Sequence, residues 1–531
     1  MGKKKNHRLY FGCFFVTILL VLSCNKWEKH LHPNNEVSHK TLIQEIKKTS
    51  SLSQFSKYLE RTGLDEKLNS FKGYTVWAPD NKAFDAISPE LKKDTGKLRQ
   101  LLLNHIAIGS YFVDEQEDTN RILMLNGKRV PFYENNFDSA KIVRANDRAK
   151  NGVLHIIDKV VPPLPNIWEV ILSSKNQYVQ NNYISELDYS KQDPATAVVD
   201  SISSITGEPV YKPGTGIVTI NSFKNNIYDV SNEDSLFTYI ILSNDEYDKE
   251  KQQLKGFFKS SDPAVTDSNA SWSVVKDLIF KGQYLIRDWP DYFMSKSGVS
   301  IKIDKGDITK VERVSNGMVY FVRSLSFPLS EKIPSCIIQG EDPIGFSDSS
   351  ENFINNVFYR ERINNLTGER FTDIYLNLGS SGGGAYVDYA TNKLYTTKYK
   401  VYWVALNDYT PSPGQDGPYG TKQPLPQILQ IGSYEDTAFV PSFDVQKDIK
   451  PDDYSEVYLG EYENVNFDWL LQLPSSTESV EMKPQPGGNK LKSFNFTPAT
   501  IRLSVGSPKV LSEGIPHNIT IDYIKLVPDF D

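Results

Sequence analysis

Cysteine is nearly missing from this chain, with three among 531 residues, so no disulfide framework can hold it and its apolar cores must. Long hydrophobic runs are missing too. The longest, "LYFGCFFVTILLVLS", has 15 residues, short of the roughly 20 that a membrane-spanning helix needs. Nor is there an excess of positive charge: 59 basic against 66 acidic side chains give −7. That is the wrong sign for a phosphate backbone, and nucleic acid is excluded as a partner. The motifs of metal chemistry are absent as well. There is no Cys-x-x-Cys and no His-Glu-x-x-His, and three of the seven histidines (His30, His32, His39) crowd into one short segment. No metal and no cofactor are expected.

What is present is a globular composition, 39% hydrophobic and 24% charged, in a chain too long for a single core. Aromatics reach 12%, with 29 tyrosines, which favours β-rich domains and surfaces that bind through ring faces. Residues 1–23 read as a leader, with basic "MGKKKNHR" followed by the apolar run. Losing its four basic groups takes the net charge from −7 to −11. The leader ends in "VLSC", which resembles the lipobox of bacterial lipoproteins, and the resemblance implies that Cys24 is lipidated and becomes the mature N-terminus. The other reading is an ordinary secretory signal with a chance cysteine. Residues 24–36 are then a tether. Cys336, the cysteine left over, is expected to be a small buried hydrophobe.

One pattern occurs twice. "NGVLHIIDKVVPP" at 151–163 aligns without a gap with "NGMVYFVRSLSFP" at 316–328. Upstream, "LLLNHIAIGSY" at 101–111 matches "VVKDLIFKGQY" at 274–284. Leu98, Leu101, Leu102, His105 and Ile106 share one helical stripe, as do Val274, Val275, Leu278 and Ile279. Gly109 and Gly282 stand where a helix would end in a left-handed residue. Asn-Gly predicts a two-residue hairpin turn with positive φ at both positions. A closing strand that is apolar throughout predicts burial on both faces. Two elements in the same order make an internal duplication.

A third element, "YTVWAPDNKAFDAI" at 74–87, predicts a strand and then a helix capped by Asp80. Its counterpart "FTYIILSNDEYD" at 237–248 offers Ser243 or Asn244 as cap. Taken together, "TVWAPDNKAF", "LLLNHIAIGSYF" and "NGVLHIIDKVVPP" resemble the fasciclin domain over roughly residues 37–165. Residues 166–329 resemble a diverged second copy, lengthened by an insertion at about 185–231 that carries a hairpin expected around residues 213–216. The resemblance implies compact α+β units, helices packed on a small β-wedge, that serve adhesion and surface binding.

From about residue 330 the texture changes to short strand-like runs such as "YKVYWVALN", "SEVYLGEYE" and "ITIDYIKLV" between turn residues. Residues 330–531 therefore predict an antiparallel β-sandwich or jelly roll. The closing "NITIDYIKLVPDFD" looks like the last strand of galactose-binding jelly rolls. "YKVYWVALN" is read as apolar on both faces, with Trp403 in the core. The glycine-rich "GSSGGGAYVDY" at 379–389 lacks the Gly-Lys-Ser/Thr ending of a phosphate cradle and reads as an inter-strand turn.

His105 and His155 are the residues that most invite a catalytic reading. Their repeat partners, Leu278 and Tyr320, argue instead for packing positions with a ring nitrogen bonded to backbone; the alternative is a pocket in the first copy alone. The fold class is thus multidomain α+β, two tandem fasciclin-like domains followed by an all-β sandwich, and no catalytic residue is assigned. The set resembles fasciclin lipoproteins of the Bacteroidetes type, which implies a lipid-anchored, outer-membrane surface protein that binds a protein partner through the fasciclin pair. The alternative is a glycan-binding accessory of a polysaccharide uptake system, with the loop aromatics Tyr409, Tyr419 and Tyr434 as candidates for ring-face contacts. A glycoside hydrolase is a more remote third, because two carboxylates alone would suffice for it.

Overall fold

The computed structural model describes residues 39–70, 72–113, 119–204, 206–348, 350–378, 384–391, 394–410, 420–435, 438–465, 467, 500–505 and 518–530. Residues 1–38, which hold the expected leader, Cys24 and the expected tether at 24–36, lie outside them, as do Tyr419 and the glycine-rich residues 379–383. Among the described residues no helix is long and apolar enough to cross a membrane. The chain forms two compact units, residues 1–165 and 166–531.

In the first unit seven strands make one sheet: β1 (Tyr74–Pro79), β2 (Ile106–Ile108), β3 (Asn120–Leu123), β4 (Arg129–Tyr133), β5 (Asn136–Phe137), β6 (Ala140–Ala149) and β7 (Gly152–Ile157). Their order is β2-β1-β7-β6-β5-β4-β3, with β1 and β7 parallel and central to the fold. A bridge between Ala107 and Met124, beside the bond from Leu125 N–H to Ile106 O at 2.8 Å, brings the two outer strands together. Side chains alternate across β1. Tyr74, Val76 and Ala78 pack with helices Leu42–Lys48, Ser53–Arg61 and Thr95–Leu103, whereas Trp77 enters a second core with Phe132, Phe137 and Ile157. With a core on each side, β1 is buried along its whole length, so its sequence shows no polar alternation.

Three local expectations need correction. The Asn-Gly pair does not form the turn. Ala149 pairs with Gly152 and Val314 with Gly317, so the turn residues are Lys150–Asn151 and Ser315–Asn316, and the glycines open the strands. Of these residues only the glycines have positive φ, +150° and +145°, and an added Cβ would fall 1.8 Å from Tyr74 O or Phe237 O. Gly109 and Gly282 do not end helices either. The helices stop at Leu103 and Val275, and Ile106–Ile108 and Ile279–Lys281 are strands in between, held by pairing to the strands at 74–79 and 237–242. Asp80 accepts from Ala83 N–H at 2.8 Å, but the element it starts is a single 3-10 turn, Ala83–Ala86. Ser88 then caps a new helix, Pro89–Lys93.

The second unit begins with the same connections. Strand Phe237–Leu242 lies parallel to Gly317–Val322 and antiparallel to Ile279–Lys281, and Ile308–Val314 completes the four-stranded sheet. Ser243 is the cap of helix Asn244–Lys255, accepting from Glu246 N–H at 3.3 Å. Asn244 instead bonds Val179 N–H and Gln177 O. The inserted segment forms two ribbon pieces, Asp188–Gln192 with Ile217–Asn221 and Val199–Ile202 with Pro209–Tyr211. Residues 213–216 are therefore the bend between the pieces rather than a hairpin tip. Gly216 packs there against Ala197, where a Cβ would lie 2.5 Å from backbone nitrogen.

Among the described residues from 336 onward the strands form two antiparallel sheets. One contains Cys336–Gln339, Val357–Ile363, Arg370–Asn377, Lys398–Ala405, Val457–Glu463 and Asn518–Asp529; the other contains Gly345–Phe346, Tyr386–Ala390, Leu425–Glu435, Ala438–Ile449 and Thr500–Val505. They share one core. Val401, Trp403, Ile519 and Ile521 come from the first sheet, and Val387, Leu429, Ile431 and Leu503 from the second. The first half of "YKVYWVALN" is inward on one face only, with Tyr399, Val401 and Trp403 buried and Lys400 and Tyr402 on the outer face, whereas from Val404 both faces are covered, Val404 and Leu406 packing with Tyr454. Cys336 is only half-buried against this core, because it opens the short strand that covers the edge of Asn518–Asp529.

The packing continues without a break past residue 329. Phe258 meets Tyr395 and Phe467 edge-on at 5.5 and 5.0 Å, and Thr396 N–H donates to Phe257 O at 2.9 Å. Lys332, just after that position, is buried and donates to Asp277 Oδ2 at 2.7 Å and to Ser273 O. Burial alone would raise the Asp277 carboxyl, but Lys332 and Lys276 hold it at about 2.

Asp522, on the last strand, has the opposite environment. Burial first, and then the Asp373 and Glu341 carboxylates, push it up to about 7. The folded chain therefore keeps a proton that an unfolded chain releases near pH 4, so this group favours folding in acid and that advantage is lost as pH rises through 7. Asp522→Asn is expected to stabilise the protein at pH 8 by about 2 kcal/mol and to have little effect below about pH 4. Thermal unfolding of the two proteins at both pH values checks this, and an unchanged midpoint at pH 8 would refute it.

Candidate functional site

The helix Thr95–Leu103 ends two residues before His105, which is therefore in the tight connection into β2 rather than on the helix itself. Its ring is fully buried. Nδ1–H donates to Leu101 O at 2.8 Å, and Nε2 accepts from Val161 N–H at 3.0 Å. His155 lies on β7 and is equally buried; Nε2–H donates to Tyr111 O at 2.9 Å, and Nδ1 accepts from Asn146 N–H at 3.2 Å. Each ring thus has one donor and one acceptor engaged, the pattern of a neutral imidazole. Burial lowers both from 6.5 to about 4, although the bonds to Leu101 and Tyr111 favour the charged form.

The two rings flank one aromatic stack. His155 lies 5.6 Å from Trp77, Trp77 4.6 Å from Phe137, and Phe137 6.0 Å from His105. The stack belongs to the closed core between the strands, not to a cleft. A proton-transfer reagent needs a lone pair that a substrate can reach, and both lone pairs here are taken by backbone.

The second unit repeats the frame by other means. Tyr320 O–H donates to Tyr284 O at 2.7 Å, the carbonyl that corresponds to Tyr111 O. Trp77 N–H donates to His105 O and Ile240 N–H to Leu278 O, each at 2.9 Å. Thr75 and Thr238 bond Gly109 O and Gly282 O at 2.8 and 2.9 Å.

Asn151 and Asn316 do more than sequence reasoning assigned to them. Asn151 Oδ1 accepts from Leu42 N–H at 2.8 Å, and its Nδ2 donates to Leu68 O and Ser70 O. Asn316 Oδ1 accepts from Ile167 N–H at 3.0 Å, and its Nδ2 donates to Val230 O and Asn232 O. Each amide ties the first helix of its frame to the segment leading into the central strand. The signal was the asparagine itself, invariant between two copies that differ elsewhere.

The model of the Fasciclin domain matches residues 50–163. Residues 50–163 form a fasciclin domain. Human periostin is 25% identical over 191 residues, covering 33% of this chain and 23% of periostin. Protein sll1483 of Synechocystis is 26% identical over 133 residues, 23% of this chain and 73% of that protein. A FAS1 domain pair from the insect cell adhesion molecule fasciclin I aligns over 53% of this chain and 98% of its own, at 15% identity and a TM-score of 0.21. The chain thus spans about a quarter of periostin's length. The buried stack of His155, Trp77, Phe137 and His105 is the interior of this fasciclin domain, and its chemistry is packing.

The candidates beyond the fasciclin domain are scattered. Tyr409 is half-buried, with Lys422 Nζ 5.4 Å from its ring centroid. Tyr434 is on strand Leu425–Glu435, not in a loop, because pairing to Ala438–Ile449 continues past the irregularity at Ile431/Gly432; its side chain, like Tyr419, lies outside the described residues. Among the described residues no cluster of His, Cys, Asp or Glu could hold a metal ion. The Asp452 carboxylate accepts from Thr410 N–H and Oγ1–H at 2.8 and 2.7 Å, and Asp453 accepts from Ser455.

Proposed function

We propose that the protein is a non-catalytic binding protein of the cell surface, anchored by lipid on Cys24, with an adhesive or scaffolding role. In this reading residues 166–329 are a diverged second fasciclin domain and residues 330–531 a jelly roll, and the protein belongs to the outer membrane of the cell envelope. The observation that carries it is the state of His105 and His155: both nitrogens of both rings are committed to backbone groups, so the residues that most suggest chemistry serve the fold. A fasciclin domain so built offers a surface and not a reagent. Its partner is then a protein on an opposing surface.

A second reading gives the partner as a glycan held by the C-terminal sheets. It is favoured by tyrosines on the outer face of the six-stranded sheet, where Tyr458 is 46% exposed. Beads coated with the full chain, applied to cells, separate the two. If the fasciclin pair carries binding to protein, retention is lost after trypsin treatment of the opposing cells and survives periodate oxidation of their sugars. The reverse pattern supports the glycan reading, and retention indifferent to both treatments would defeat the pair of them.

A further inference from the structure

One row crosses the outer face of the six-stranded sheet. Ile337 pairs with Lys525, Lys525 with Tyr402, and Tyr402 with Tyr458, so these four side chains stand next to one another on four adjacent strands. Three inter-strand gaps of about 4.8 Å make the row about 14 Å long. Ile337 is 54% exposed, and the rings of Tyr402 and Tyr458 lie 5.4 Å apart, tilted by 54°. In the next row Glu456 accepts from Tyr523 O–H at 2.8 Å and from Lys525 Nζ at 3.0 Å. The inward neighbours Val401 and Trp403 fill the core. The outward tyrosines add nothing to it.

We infer that this row, centred on Tyr402 and Tyr458, binds a neutral polysaccharide chain. The inference rests on the glycan reading above and locates it away from the loop tyrosines. Charge decides the class of ligand. Lys400 pairs with Asp529 on one side of the row, and on the other the Glu456 carboxylate and the Lys525 ammonium neutralise each other, so a polyanion finds no net positive field there. Both groups keep hydrogen-bonding capacity, since a carboxylate accepts about four bonds and an ammonium donates three. A hydroxyl donates and accepts, and so satisfies either. The electron-rich ring faces attract the polarised C–H face of a pyranose ring. An extended row of two rings suits a chain of such units better than one sugar.

Native affinity electrophoresis of the full chain in gels cast with hydroxyethylcellulose, mixed-linkage β-glucan, galactomannan or pullulan tests the site, with polygalacturonate as the anionic control. At least one neutral polymer is expected to retard the protein. Tyr458→Ala is expected to weaken that binding about ten-fold, the scale of one aromatic anchor, while Tyr458→Phe and Tyr409→Ala retain it. Glu456→Gln, which leaves both rings in place, should weaken it measurably at an unchanged unfolding midpoint; this keeps the test valid if Tyr458→Ala disturbs the sheet. Equal retardation of the parent, Tyr458→Ala and Glu456→Gln would overturn the site and leave the glycan reading intact. No retardation by any neutral polymer would overturn both. Retardation by polygalacturonate alone, abolished by salt, would overturn the assignment to a neutral ligand.

Discussion

Acidification from pH 7 to about pH 4.5 is expected to unfold residues 39–165 well before the rest of the chain. The cause is the two buried imidazoles. An unfolded chain takes up a proton at each below pH 6.5, whereas the folded fasciclin domain refuses it until about pH 4. Between those values the unfolded state binds more protons, so stability falls as pH falls; above 6.5 both states are neutral and these groups no longer act. Each histidine is worth about 3 kcal/mol by the time pH reaches 4, and two together approach the whole stability of an ordinary domain, about 5–15 kcal/mol. Asp522 acts in the opposite direction over the same range, so the units should separate into two calorimetric transitions on acidification. The transition of residues 39–165 should fall by roughly 10–20 °C. His155→Tyr, which copies Tyr320, should remove about half of this sensitivity. A transition that does not move between pH 7 and pH 4.5 would sink the account.

The second large effect concerns the Asn-Gly pairs. Gly152→Ala and Gly317→Ala each put a methyl group 1.8 Å from a carbonyl oxygen of the neighbouring parallel strand. Backbone cannot swing aside there as a flexible side chain would, so the central pair of strands must separate. Asn151→Ala and Asn316→Ala each orphan one N–H and two carbonyl groups; at about 1–3 kcal/mol for each group left unpaired, the loss reaches roughly 3–5 kcal/mol. All four variants should shift urea midpoints by the largest amounts of any single substitutions in their units. The equivalence of the two frames makes the prediction sharp. If Asn151→Ala is severe and Asn316→Ala falls within about 1 kcal/mol of the parent, the frames are not held in the same way.

How far the sequence could be read depended on the range of the interaction. The repeated pattern around Asn151 and Asn316 is contiguous, and strands apolar on both sides betray central positions directly. Asn-Gly has a strong local preference for the turn, but here the demand for glycine comes from Tyr74 O and Phe237 O, far away in sequence. The stripe from Leu98 to Ile106 fits helical spacing and predicts a helix end at Gly109, yet pairing to Val76 pulls Ile106 into a strand. Tyr402, half-buried on the outer face, is not legible as outward-facing from the sequence. In "YKVYWVALN" aromatics occupy both faces, and only the register with Lys525 and Tyr458 shows which ring looks outward.

The Asn-Gly dipeptide is also where polypeptides age fastest, because the glycine nitrogen attacks the side-chain amide carbon, ammonia leaves, and water opens the resulting imide to an acid. In both frames that amide is clamped by three bonds, and the clamp suppresses ring closure for as long as the chain stays folded. Each excursion out of the native state releases it. A molecule that reacts during one returns with an acid where two hydrogens must be given away, so lost time out of shape is recorded covalently and cannot be undone by refolding.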